Sequence, residues 1–178
     1  YKLRVLGPNT VGLVDTYSGV DTLFTPRIKR TEKGEELINI LEFKRGNVTI
    51  ITQSGALSCS FLMWAKAHDL IGLDKFISFG NMADIDVVEV MEYLADVPTT
   101  KVIWVYLEGY NDGKKFLEVA KKVSAKKPVI VLKPGRTQAG AAAASSHTGA
   151  MAGEDQIWDA VFKQTGIIRA YTLQELYH

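Results

Sequence analysis

The 178-residue sequence has little of what metal and redox sites are usually built from. Its single cysteine, Cys59, excludes an intrachain disulfide framework and any zinc site made of several thiolates. The three histidines, His68, His147 and His178, are too widely spaced for a metal-ligand motif, so no metal site is expected. Charge of one sign is not in excess either. There are 21 Lys and Arg against 20 Asp and Glu, a net charge of +1, which removes the electrostatic argument for a nucleic-acid binder. No apolar run approaches the ~20 residues of a membrane span, and no signal peptide is recognisable. The Walker A and G-x-G-x-x-G phosphate patterns are missing. So is G-x-S-x-G, because Thr52 stands where its first glycine belongs, which makes Ser54 a poor nucleophile. What remains is a globular composition, 47% apolar and 23% charged. The expectation is a cytoplasmic domain cut from something longer, with no nucleic-acid or membrane partner.

What is present is a rhythm. Five short runs rich in Val, Ile and aromatics read as strands covered on both faces: Asn47–Thr52, Lys75–Phe79, Lys101–Leu107, Pro128–Leu132 and Gly166–Arg169. Helical spacing of apolar residues lies between them, over Ala56–His68, Asp84–Ala95, Asp112–Val123 and Met151–Thr165. Strict alternation of strand and helix predicts an α/β fold, a flavodoxin-like, doubly wound, five-stranded parallel sheet over residues 46–178. Residues 1–45 fall outside this rhythm. Leu3–Leu6 reads as a short strand, and Arg27–Arg45 mixes basic residues and glutamates as a solvated face does. The expectation is that residues 1–45 are the end of a preceding domain plus a linker, packed outside the sheet or partly disordered.

In open parallel sheets, ligands bind beyond the carboxyl ends of the strands. Those ends read Gln53-Ser54-Gly55-Ala56, Gly80-Asn81-Met82, Glu108-Gly109-Tyr110 and Lys133-Pro134-Gly135. Ser54-Gly55-Ala56 opens a helix, whose free N–H groups suit an anion; an ordinary serine N-cap explains the same residues. Glu108 is either an exposed strand-end acid or a carboxylate that orients a histidine. Asp84 and Asp86 suit a helix start better than a magnesium site. Cys59, Trp64, Trp104 and Trp158 read as packing. Between the fourth strand and fourth helix runs Lys133–Gly153, a long Gly- and Ala-rich stretch that is either a linker or functional. It carries His147 among small residues. That histidine is either an idle surface group or, with one ring nitrogen held by a carboxylate, a nucleophile.

The segment Ala141–Gly153 (AAAASSHTGAMAG) resembles the phosphohistidine loop of the NDP-forming acyl-CoA synthetases. Thr52–Ser58 (TQSGALS), Phe79–Asp84 (FGNMAD), Tyr106–Gly113 (YLEGYNDG) and Lys127–Gly135 (KPVIVLKPG) look like the same family, in the same order. Leu3–Gly12 (LRVLGPNTVG) resembles the end of that family's CoA-binding domain. The resemblance implies a reversible reaction of acyl-CoA, phosphate and ADP or GDP to free acid, CoA and triphosphate. It implies His147 as the phosphorylated residue, Glu108 as the acid steadying its ring, and Ser54, Gly55 and Ala56 as the phosphoryl-binding helix start. It further implies that the full enzyme uses CoA, ATP/ADP and Mg²⁺, none held tightly by this domain alone. A CoA-binding Rossmann domain and an ATP-grasp domain or subunit, in an oligomer, would complete it. A regulatory, noncatalytic module fused to a protein acyltransferase and a partner-docking domain are the alternatives; the presence of His147 favours catalysis.

Overall fold

Apolar runs too short to fold alone become a sheet here because helices return the chain and cover both faces. The computed structural model describes residues 3–24, 28–38, 43–67, 71–136 and 155–177. In chain order the elements are β1 (Leu13–Asp15), β2 (Val20–Asp21), β3 (Ile28–Arg30), β4 (Glu36–Ile38), β5 (Arg45–Thr52), α1 (Gly55–Ala67) and β6 (Leu73–Ser78). They continue with α2 (Val87–Ala95), β7 (Val102–Tyr106), α3 (Gly113–Ser124), β8 (Val129–Leu132), α4 (Asp155–Thr165), β9 (Ile168–Ala170) and α5 (Leu173–Tyr177). The main sheet runs β2-β1-β6-β5-β7-β8-β9, and β3 and β4 form a separate hairpin.

Strands β5 to β9 are the five expected ones. They pair in parallel in the order second, first, third, fourth, fifth, which is the flavodoxin-like order. Alternation then sorts their side chains. Ile51, Ile103, Val105, Val129 and Val131 meet α2, α3 and α4 on one face through Met91, Leu94, Phe116, Val123 and Phe162. Ile50, Trp104 and Leu132 face the other way, onto Phe61 and Leu62 of α1 and Leu176 of α5. Among the described residues, no helix is long and apolar enough to cross a membrane.

The sheet has seven strands rather than five, and for residues 13–21 this corrects the expectation of a segment packed outside it. β1 pairs antiparallel with β6, and β2 with β1. The edge of β6 would otherwise present unpaired backbone groups, and charge fixes the contact. Lys75 on β6 is almost buried, and its ammonium meets Asp15 on β1 at 3.0 Å and Asp74 at 3.1 Å. Asp74, wholly buried at the amino edge of the sheet, also accepts hydrogen bonds from Thr49, Thr99 and Thr100. That cluster is satisfied internally, so it is structural.

A second correction concerns Leu3–Leu6, which forms no strand. Residues 5–8 instead lie along the turn after β6, where Asn81, Ala83 and Ile85 donate backbone N–H groups to the carbonyls of Pro8, Gly7 and Val5. Gly80 makes this possible. Its φ is +56°, and a Cβ there would sit 2.1 Å from the Pro8 carbonyl oxygen. Asp84, expected at a helix start, precedes the helix and holds this segment through Arg4 at 2.9 Å and the Val5 N–H at 2.7 Å. Asp86 is the residue that caps α2.

Candidate functional site

The register places the candidate residues. Thr52 on β5, Ser78 on β6, Tyr106 on β7 and Leu132 on β8 lie in one row across the sheet. One or two residues beyond that row, on adjacent parallel strands, come Gln53-Ser54 from β5 and Leu107-Glu108 from β7. Lys133 follows from β8. The Ser54–Gly55–Ala56 helix start and Glu108 therefore share one edge, as neighbours. His147 lies outside the described residues, so the structure neither brings it to this edge nor keeps it away.

Helix α1 begins at Gly55, and the Ser54 hydroxyl accepts the Leu57 N–H at 3.4 Å. That is a long capping bond, consistent with a serine N-cap. The Thr52 hydroxyl donates to the Ser54 carbonyl at 3.1 Å. Gly55 also has a packing reason to be glycine: a Cβ would meet Val11 Cγ1 at 2.9 Å. Ala56, the second helical residue, is exposed.

Glu108 is buried, at 7% exposure, so it is not a solvated strand-end acid. Gln53, a residue the sequence reading passed over, fixes its backbone. The Gln53 N–H donates to the Tyr106 carbonyl at 3.1 Å. Its side-chain Oε1 accepts the Glu108 N–H at 2.9 Å and the Gly109 N–H at 3.4 Å. A buried side chain thus supplies the acceptor that the strand end lacks. Just beyond, the Tyr110 hydroxyl and the Lys115 ammonium both donate to the Asp86 carboxylate, at 2.8 and 2.9 Å. The turn carrying Glu108 is held on both sides. The Tyr106 phenol is pushed up to about 12 by burial and by the Glu108 charge.

Lys133 is the other group that the sequence reading placed at this edge without assigning a role. It is 2% exposed, and its ammonium lies 5.4 Å from the centre of the Trp158 ring. Burial lowers its pKa, although the Asp155 and Glu108 charges pull the other way. The signal that singled out Glu108, a charged residue directly after an apolar strand, marks Lys133 equally. Beside Trp158 a cleft of about 220 Å³ opens between α3 and α4, lined by Tyr110, Asn111, Phe116 and Ile157. Among the described residues, no three His, Cys, Asp or Glu side chains gather where they could share a metal ion.

Comparison with known proteins agrees with this architecture. Residues 45–178 match the succinyl-CoA ligase-like flavodoxin domain. The chain is 45% identical over 176 residues to the alpha subunit of ADP-forming acetate–CoA ligase II from Pyrococcus furiosus, covering 99% of this chain and 35% of that one. It is 44% identical over 176 residues to the ADP-forming acetate–CoA ligase of Methanocaldococcus jannaschii, covering 99% of this chain and 23% of that one. Among solved structures, acetyl-coenzyme A synthetase 1 of Ca. Korarchaeum cryptofilum, in complex with phosphate and ADP, superposes with a TM-score of 0.84 at 38% identity. That match covers 98% of this chain and 35% of the other. The chain thus spans about a quarter to a third of the length of these relatives. With its flavodoxin-like strand order and these matches over nearly all its length, the chain belongs to the succinyl-CoA ligase-like flavodoxin domain family.

Proposed function

We propose that this chain is the phosphohistidine-bearing part of an ADP-forming acyl-CoA synthetase. The observation that carries the reading is the buried Glu108 beside the start of α1, on adjacent parallel strands, in a family whose relatives are named ADP-forming CoA ligases. In the reaction, phosphate displaces CoA from the acyl group to give an acyl phosphate. A histidine nitrogen then attacks phosphorus. The N–P bond forms, the bond from phosphorus to the acyl oxygen breaks, and the free carboxylate leaves with that electron pair. The phosphoryl group passes on to the nucleoside diphosphate.

In this proposal His147 is the nucleophile, and Glu108 accepts a hydrogen bond from the N–H of its other ring nitrogen, stabilising the ring as it gains positive charge. Backbone N–H groups at Gly55 and Ala56, at the positive end of α1, face the phosphoryl oxygens, with Ser54 at the cap. CoA, the nucleotide and its Mg²⁺ belong to a CoA-binding Rossmann module, of which this chain carries only the tail at residues 3–12, and to an ATP-grasp module. The acyl group varies among relatives, one of which is named a 4-hydroxybutyrate–CoA ligase and another a trans-feruloyl-CoA synthase.

The test is Glu108→Gln in the complete enzyme. It keeps size and burial but carries no negative charge to balance the positive ring. Phosphohistidine formation should fall by about 10²–10⁴-fold, the usual effect of a lost acid–base partner. Phosphorylation at the wild-type rate would remove Glu108 from the mechanism.

A further inference from the structure

We propose that Lys133 is a binding residue for the phosphate substrate, its buried ammonium holding a phosphate oxygen at the carboxyl edge of β8. Lys133 follows Leu132, which pairs with Tyr106, so it lies one strand from Glu108. An ammonium carries three N–H donors. Among the described residues it has one hydrogen-bond acceptor, the Pro134 carbonyl at 3.1 Å, and a ring face below it. The nearby carboxylate of Asp155 is already engaged. Asp155 is hydrogen-bonded to Arg169, which Asp159 also holds, and Arg136 approaches Asp155 at 3.8 Å. Glu108 acts on Lys133 through its field, without an ion pair between them among the described residues.

A buried cation with no contact counter-ion is costly, and it is retained where something anionic meets it. A lysine whose only task was to pack its stem would reach water with its head, as lysines on surfaces do; Lys133 does not. The anion that the proposed reaction brings to this edge is phosphate, which offers several acceptor oxygens and negative charge to a compact point charge.

This inference rests on the phosphoryl-transfer reading for its ligand, but the two fail separately. In the complete enzyme, Lys133→Met and Lys133→Arg are compared with wild type by calorimetric titration with inorganic phosphate. Steady-state kinetics in the phosphate-consuming direction follow. Methionine keeps an unbranched apolar stem against Trp158, so folding, checked by thermal unfolding, should be unharmed. Lys133→Met should weaken phosphate binding and raise the KM for phosphate about 10- to 100-fold, as expected for a lost charge-assisted hydrogen bond. The KM for acyl-CoA should change little, and Lys133→Arg should recover part of the phosphate affinity. A folded Lys133→Met with wild-type phosphate affinity would overturn the proposal. So would losses in both variants that track a lower Tm, since that is a packing role. Phosphate binding that depends on Lys133, in an enzyme that never phosphorylates His147, would keep this assignment and remove the catalytic reading.

Discussion

At the scale of single residues, the edge of the sheet is organised by groups that touch one another rather than by a motif. Gln53 is the clearest case. Its Oε1 is shared by two buried backbone N–H groups, those of Glu108 and Gly109. Gln53→Ala leaves both without that acceptor, and chemical denaturation should show a loss of about 1–3 kcal/mol. Catalysis should fall as well, because the carboxylate it positions loses its fixed backbone. An unchanged midpoint would mean that water replaces the amide. Glu108 and Lys133 were legible in the sequence as charges placed directly after apolar strands. Gln53 was not, because an uncharged side chain at a strand end gives no sign of turning inward.

At the scale of elements, the best-defined device is the start of α2. Asp86 accepts the Glu89 N–H at 2.8 Å, and the Glu89 side chain reaches back to the Asp86 N–H, a reciprocal capping box. Burial pushes the Asp86 carboxyl up, but the Glu89 N–H, the Lys115 ammonium and the Tyr110 hydroxyl together hold it below its usual value of 3.8. A carboxyl with a lowered folded-state pKa contributes stability that is present above about pH 4 and is lost as pH falls through the folded value. Asp86→Ala should therefore cost about 0.5–2 kcal/mol at neutral pH through the cap alone. The difference from wild type should shrink in acid, as read by thermal unfolding across pH. A difference that stays constant down to pH 2 would show that the charge does not matter (about two units below the usual carboxyl value). The strands and helices of the parallel sheet were legible because apolar runs alternate with helical spacing. β1 and β2 were not, since strands of three and two residues are too short for any period to show. Helix α5 was missed for the same reason, at five residues.

At the scale of the whole molecule, the parallel order of β5 to β9 is what brings one end of every strand to a common edge. That follows from the helices that return the chain between parallel strands, an alternation legible before any coordinates. The attachment of residues 13–21 to β6 was not, because it depends on an ion pair between Asp15 and Lys75, sixty residues apart in sequence. The chain spans only about a quarter to a third of its relatives, so the proposed reaction needs modules beyond it. The central claim is that phosphate passes through His147, steadied by Glu108. Its most direct test is to incubate the complete enzyme with acyl-CoA and labelled phosphate without nucleotide, then quench in base, where an N–P bond survives. The account predicts label on wild type at His147, none on His147→Ala, and a rate lowered about 10²–10⁴-fold in Glu108→Gln. Label that persists in His147→Ala, or a wild-type enzyme that turns over without ever carrying it, would contradict the account.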